Sequence, residues 1–272
     1  MPLYLWDGAL VSLLENYSVF LIDLDGVVYL NDRPVPGGKE TIKEIQRRGL
    51  GFLFLSNNSS ATPQQYVEKL LKMGIQVEVR NVMTSGQALG RYIEENYPAK
   101  GKTGFVIGEY GLESELEARG IKLLQGDAAK EVDFVVVGWD RFVTYEKLKI
   151  ACVAIRNGAT YLATNKDATF PTPHELWPGA GAIVAAVTTA SGREPVAIGK
   201  PNPYMVKLGL ERLGASEKDA LIVGDRLETD ILAGIEAGVD SALVLSGISR
   251  EEDIVASGII PTHVIESLSS LL

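Results

Sequence analysis

The sequence is short of cysteine, histidine and basic charge, and each shortage removes a class of function. Cys152 is the only cysteine. A disulfide within the chain is therefore excluded, and a reducing compartment is the expectation. The two histidines, His174 and His263, lack the Arg-His-Gly context of a phosphohistidine enzyme, which disfavours that mechanism. Acidic residues outnumber basic ones, 35 to 26, for a formal charge of −9. Nucleic acid is thus not expected as a partner, because a phosphate backbone calls for clustered Lys and Arg. No window reaches the ~18 uncharged apolar residues of a membrane span. The first 18 residues lack a basic lead and are broken by Asp7 and Glu15, so they do not read as a signal peptide. The expectation is a cytoplasmic protein without a membrane partner.

What is present is the composition of an ordinary globular chain, 46% hydrophobic and 22% charged over 272 residues, enough for one large domain or two modest ones. Short apolar runs alternate with helical patterns from end to end, which predicts an α/β fold with a parallel sheet. VFLIDLDG (19–26) and GFLFLS (51–56) read as strands buried on both faces, and a helix around 39–48 lies between them. Thr62-Pro63-Gln64-Gln65 predicts a helix start, with Thr62 as cap and Gln65 closing a capping box. Further strands are read at 196–200, 220–225, 241–247 and 262–266, and a helix at 228–237 ended by Gly238. The segment 83–194 has alternating elements of its own, including TGFVIG, DFVVVGWD, ATYLAT and a late apolar helix.

Three of the apolar strands run into polar residues. The first delivers Asp23 and Asp25, the second Ser56 and Asn57, and the strand at 220–225 delivers Asp225; Lys200 follows VAIG. In open α/β sheets, ligands sit at the carboxyl ends of strands. Three carboxylates, a hydroxyl, an amide and a lysine on one rim suit Mg²⁺, a hard cation that takes carboxylate and phosphate oxygens. Each residue also has a plain reading. Asp25-Gly26 is turn chemistry, Ser56-Asn57-Asn58 a good loop, and Lys200 a surface lysine before proline. Cys152 continues a helical apolar pattern and reads as core. Glu228 reads as charge at a helix N-terminus, and Gly179-Ala180-Gly181 as a packing or ligand turn.

Taken in order, DLDGV (23–27), Ser56-Asn57-Asn58, Lys200 in GKPNP and GDRLETD (224–230) resemble the four motifs of haloacid dehalogenase (HAD) superfamily phosphatases. The middle segments GWDRFVTYEKL (138–148) and ATNKDATFPTP…PGAGAIVAAV (163–187) are similar to the cap of the NagD, 4-nitrophenylphosphate, pyridoxal-phosphate and phosphoglycolate phosphatase subgroup, a C2-type cap. The resemblance covers nearly the whole chain after about residue 17.

It implies a Rossmann-like HAD core, residues 1–82 and 195–272, with an inserted α/β cap at 83–194. It also implies an Mg²⁺-dependent phosphatase for small phosphate monoesters, such as 4-nitrophenyl phosphate-type esters, sugar phosphates, phosphoglycolate or nucleoside monophosphates. Asp23 would be the nucleophile forming an aspartyl-phosphate, and Asp25 the general acid and base. Gly26, Ser56, Asn57, Asn58 and Lys200 would bind the phosphate. Asp23, the Asp25 carbonyl and Asp225 would hold Mg²⁺, with Asp230 orienting a water or Lys200 from behind.

Trp139, Asp140, Asn165, Asp167 and Phe170 become cap candidates for contacting a small phosphorylated metabolite, against a packing role for each. Pyridoxal-phosphate phosphatases carry a histidine at the position of Phe170, which sets that substrate apart. The resemblance also allows a homodimer through the cap. Dehalogenase chemistry is disfavoured because Asp25 and Asp225 are both present. The competing class is a non-catalytic phosphometabolite-binding regulator on the same fold.

Overall fold

In a computed structural model, residues 12–30, 33–98, 101–172 and 175–272 are described. The expected reading of residues 1–11 and the surroundings of His174 fall outside them. Six parallel strands form the first sheet. In spatial order they are His263–Ile265, Asp240–Val244, Ala220–Gly224, Val19–Ile22, Gly51–Ser56 and Val82–Thr84. Val19–Ile22 is central and pairs on one side with Ala220–Gly224 and on the other with Gly51–Ser56. The chain order reverses across it, which makes its carboxyl end the topological switch point.

Period-two alternation explains the two-sided burial. Phe20, Ile22, Phe52, Phe54, Leu221 and Val223 face helices Gly38–Arg47 and Pro63–Lys72. Val19, Leu21, Leu53, Leu55 and Ile222 face the other way, toward Met205, Val206 and Ala233. The helix at Pro63 starts as the sequence dictates: Thr62 accepts from the Gln65 N–H and the Gln65 side chain accepts from the Thr62 N–H. Such a cap contributes about 1 kcal/mol.

A second sheet of five parallel strands lies between the halves of the first in sequence. Its spatial order is Val196–Ala197, Thr160–Ala163, Phe134–Val137, Thr103–Ile107 and Lys122–Leu123. Helices Tyr145–Arg156 and Ala180–Ser191 cover one face, where Cys152 is a buried core residue as its pattern predicted. The other face, with Val106, Val136 and Leu162, joins the apolar cluster of the first sheet through Leu89 and Ile93 of helix Ser85–Asn96. A hairpin, Thr169–Pro171 with Leu176–Pro178, extends from the second sheet.

By sheet membership, the chain leaves the first sheet after Thr84 and the second after Ala197. The expected strand 196–200 is only Val196–Ala197, and it pairs in the second sheet, not the first. The expected helix 228–237 is a π-helical turn, Leu227–Ile231, running into a short helix, Leu232–Ala237, with Gly238 left-handed at its end. No helix among the described residues is long and apolar enough to cross a membrane.

Candidate active site

Parallel pairing sets the carboxyl ends of Val19–Ile22, Gly51–Ser56 and Ala220–Gly224 on one rim, so Asp23, Ser56, Asn57 and Asp225 meet there. With Asp25, Asn58, Lys200 and Asp230 they line one cleft, closed on its far side by Asp167, Thr169, Phe170 and Pro171 of the inserted unit. Eight of the nine core residues expected from the motifs line it, and the ninth, Gly26, packs against Asp225.

Lys200 is the centre of charge. It is 2% exposed, and its Nζ donates to Asp23 Oδ1 at 2.6 Å, Asp230 Oδ1 at 2.6 Å and the Leu55 carbonyl at 2.7 Å. All three ammonium protons are thereby used. Burial works to lower the Lys200 pKa, but Asp23 and Asp230 outweigh it and raise it, so the lysine stays charged.

The acids are pushed the other way. Burial raises Asp23 well above the carboxylate range, with Lys200 opposing and Asp230 and Asp225 adding to the rise. Burial also raises Asp25, against Lys69 and the Tyr29 hydroxyl 3.5 Å away. Burial, then Asp230, push Asp225 up to about 7. Acids crowded and buried in this way gain from a cation that takes the place of the missing solvent.

The donor set fits such a cation. Asp23, Asp225 and Asp230 each bring an oxygen within 4.8 Å of the others. The Asp225 carboxylate is held by the Ile248 N–H at 2.9 Å. It lies between two glycines: a Cβ at Gly26 would come 2.2 Å from Asp225 Oδ2, and one at Gly247 2.0 Å. Gly26 is also left-handed, φ +89°. Gly26→Ala is therefore expected to destabilise the fold by at least ~1 kcal/mol and to displace the Asp225 carboxylate. Melting curves with and without Mg²⁺ check this; the shift on adding Mg²⁺ should shrink along with the apo melting temperature.

Asp230 was expected behind the metal. The π-helical turn folds it back against Gly224, where a Cβ would meet its side chain at 2.1 Å. There it holds Lys200 and accepts from the Arg226 N–H at 3.2 Å, while an oxygen of its carboxylate also adjoins the Asp23 and Asp225 oxygens.

The loop residues divide their work. Ser56 Oγ accepts from the Asn58 N–H at 3.2 Å and lies 3.4 Å from the Tyr66 hydroxyl. Asn58 Oδ1 caps the turn by accepting from the Ser60 N–H. The side-chain amide of Asn57 is fully engaged by Lys200 and Asp167.

Of the five cap candidates, only Asp167 and Phe170 line the cleft. Trp139 stands behind Phe170, stacked at 4.1 Å between ring centroids, and its indole N–H donates to the Pro178 carbonyl at 3.0 Å. It braces the hairpin. Buried Asp140 accepts from Lys147 at 2.6 Å and the Phe142 N–H at 2.8 Å, so it fixes its own loop. Asn165 donates to the Asn57 carbonyl at 2.7 Å.

Arg226, Thr169 and Tyr29 escaped the sequence reading. Arg226 stands next to Asp225 in GDRLETD, and that adjacency was the available signal. Cys152 is far from this chemistry, its thiol raised by burial.

The family comparisons agree with this geometry. The model described as haloacid dehalogenase-like hydrolase matches residues 20–122, and a second HAD-hydrolase-like model matches 197–271. The 5'-nucleotidase YutF of Bacillus subtilis is 38% identical over 256 residues, 94% of this chain and 98% of that one. A 4-nitrophenylphosphatase structure from Thermotoga maritima has a TM-score of 0.88 at 36% identity, covering 95% of this chain and 97% of its own. NagD of Escherichia coli gives 0.85 at 32%, with 93% and 98% covered. A Mycobacterium tuberculosis glycerol phosphate phosphatase in complex with magnesium gives 0.88 at 32%, with 96% and 78% covered.

The chain belongs to the haloacid dehalogenase-like hydrolases, with a HAD core and an inserted α/β cap. Within that family it falls in the NagD-like subgroup, and it is an enzyme, a phosphoric monoester hydrolase.

Proposed function

We propose that this phosphatase hydrolyses small phosphate monoesters with Mg²⁺, through an aspartyl-phosphate on Asp23. The observation that carries the reading is the junction of Asp23, Lys200, Asp230 and Asp225 at the carboxyl ends of adjacent strands.

In the first displacement the Asp23 carboxylate forms a bond to phosphorus as the ester oxygen leaves, and Asp25 gives that oxygen a proton. In the second, water attacks the acyl phosphate, Asp25 takes its proton, and phosphate departs with Asp23 restored. Raised by burial, Asp25 is suited to hold the proton that the first step needs. The charge of Lys200, the Ser56 hydroxyl and the backbone N–H of Asn57 would meet the equatorial oxygens, where transition-state charge gathers. Asp23, Asp225 and the Asp25 carbonyl would hold Mg²⁺, with Asp230 beside them, and the cation would supply charge neutralisation and Lewis acidity there.

Thr169, Phe170 and Pro171 form the wall against which the leaving group rests and from which water is excluded. The names of the relatives, a 5'-nucleotidase, an acid sugar phosphatase and a glycerol phosphate phosphatase, support nucleoside monophosphates and sugar or polyol phosphates as the substrate classes to test, with phosphoglycolate beside them.

The test is phosphate release from 4-nitrophenyl phosphate and a panel of these esters, with Mg²⁺ and after chelation. Release is expected with Mg²⁺, lost with chelator and restored by excess metal. Release that ignores the chelator, or no release across the panel, overturns the reading.

A further inference from the structure

Asn57 occupies a position that phosphate binding does not explain. Its side chain offers one acceptor and two amide protons. The acceptor takes the Lys200 N–H at 2.8 Å; one proton goes to the Lys200 carbonyl at 2.9 Å and the other to both Asp167 oxygens at 3.1 Å. The Asn57 carbonyl accepts from Asn165 Nδ2 at 2.7 Å and from the Ser85 hydroxyl.

These partners are the joints of the molecule. Ser85 follows Thr84, where the chain leaves the core sheet, and Lys200 lies just beyond Ala197, where it leaves the cap sheet. Asn165 and Asp167 follow the cap strand Thr160–Ala163. Both connections and the cap loop thus meet on one residue that is 8% exposed.

The joints are tightly packed. A Cβ at Gly199 would come 2.4 Å from the Thr164 carbonyl and 2.7 Å from Asn57 Oδ1. Behind Asp167, its carbonyl accepts from the Gly181 N–H at 2.9 Å, and a Cβ at Gly179 would meet the same oxygen at 2.2 Å. Gly179 and Gly181 therefore serve packing, seating the 166–167 segment.

We propose that Asn57 is a positioning residue through which the seating of the cap, read by Asp167 and Asn165, fixes Lys200 against Asp23. The two-point grip on the Lys200 main chain holds the base of the side chain, while Asp23, Asp230 and Leu55 hold its tip. Loosening the cap end of the relay shifts the ammonium from the nucleophile, whatever ester is bound. The role of Lys200 in turnover rests on the proposed function; the link itself does not.

Asp167→Ala, Asp167→Asn, Asn57→Ala and the double alanine variant test it, with melting curves as the control for folding. Asp167→Ala is expected to lower kcat by about tenfold, by the same factor for small and large esters, with KM moving less than about twofold. Asp167→Asn recovers most of that loss, because an amide oxygen still accepts from Asn57. The double variant is expected to be no slower than Asn57→Ala, since both act on one relay.

A second readout is the ¹⁵N signal of the Lys200 ammonium, assigned by its disappearance in Lys200→Arg. It should shift or broaden in Asp167→Ala and return in Asp167→Asn.

Losses that differ by more than about tenfold between esters would make Asp167 a substrate contact and overturn the proposal. So would multiplying losses in the double variant, or an unmoved lysine signal. If Asn57→Ala does not fold, the two Asp167 variants and the lysine signal decide the question. If the wild-type protein hydrolyses none of the esters with Mg²⁺, the proposed function fails, and the lysine signal still decides this link.

Discussion

Asp23→Asn is expected to remove about 10⁴-fold or more of kcat while leaving the metal-free protein as stable as the wild type, or more so. The kinetic half follows from the nucleophilic role proposed for Asp23, which no neighbour replaces. The stability half follows from the pKa. Burial, together with Asp230 and Asp225, raises Asp23 in the fold despite Lys200. A carboxyl raised on folding is costlier to ionise in the native state than in the unfolded one. That cost is absent at low pH, grows as pH rises above the ordinary carboxylate value, and is fully present once the folded group ionises. Asparagine carries none of it.

Lys200 loses one partner in this variant and keeps Asp230 and the Leu55 carbonyl. At neutral pH the variant's melting temperature should equal or exceed that of the wild type, by roughly 2–4 °C per kcal/mol for a chain of this size. Its upward shift on adding Mg²⁺ should be smaller, because a proposed ligand of the cation is gone. A variant that keeps more than about 1% of wild-type kcat would remove Asp23 from the chemistry, and one that melts well below the wild type would make its charge structural. Both measurements use the same preparations, a phosphate-release assay and a calorimetric scan.

The site was legible where local pattern and chemistry agree. Asp23, Ser56 and Asp225 could be found because each follows an apolar run buried on both faces, and parallel strands must bring their ends to one rim. Thr62 could be found because its cap involves a residue three positions away. What lay hidden depends on partners distant in the chain. Trp139 and Asp140 sit in a family-like segment, yet Trp139 braces Phe170 and Pro178, and Asp140 is engaged by Lys147.

Val196–Ala197 looked like core because it precedes the lysine motif, but a short apolar run does not reveal which sheet it joins. The expected helix at 228–237 opens as a π-helical turn because Asp230 must fold back against Gly224 to reach Lys200, and periodicity carries no trace of that contact. The amide of Asn57 read as a phosphate ligand for a related reason: the sequence shows which groups it offers, not that Lys200 and Asp167 already engage them.

Lys200→Ala should produce the larger loss of stability of these two substitutions, with its size depending on pH and metal. The ammonium sits 2.6 Å from both Asp23 and Asp230, in a cluster whose three acids bring oxygens within 4.8 Å of one another. Removing one member of a buried pair leaves the other charge uncompensated, at about 3–5 kcal/mol. For this chain length that is a fall of roughly 6–20 °C in melting temperature.

The lysine itself does not titrate near neutrality. Its folded pKa is raised, so its contribution is fully present below the ordinary lysine value and is lost only as pH rises through the folded one. The acids do titrate. Asp225 already stands at about 7, and without the lysine both Asp23 and Asp225 are driven higher, so the cluster takes up protons as pH falls. The gap between variant and wild type should therefore be widest near about pH 8 and narrower near about pH 6. Mg²⁺ should narrow it as well, since a cation bound only by the folded protein offsets the same repulsion. Activity should fall at every pH, because Mg²⁺ can offset the charge without restoring the hydrogen bond to Asp23. Calorimetry at both pH values, with and without Mg²⁺, separates the two roles. A gap that ignores both pH and metal would assign the loss to the volume of the missing side chain, and Lys200→Met, which restores most of that volume without the charge, would then recover the wild-type melting temperature.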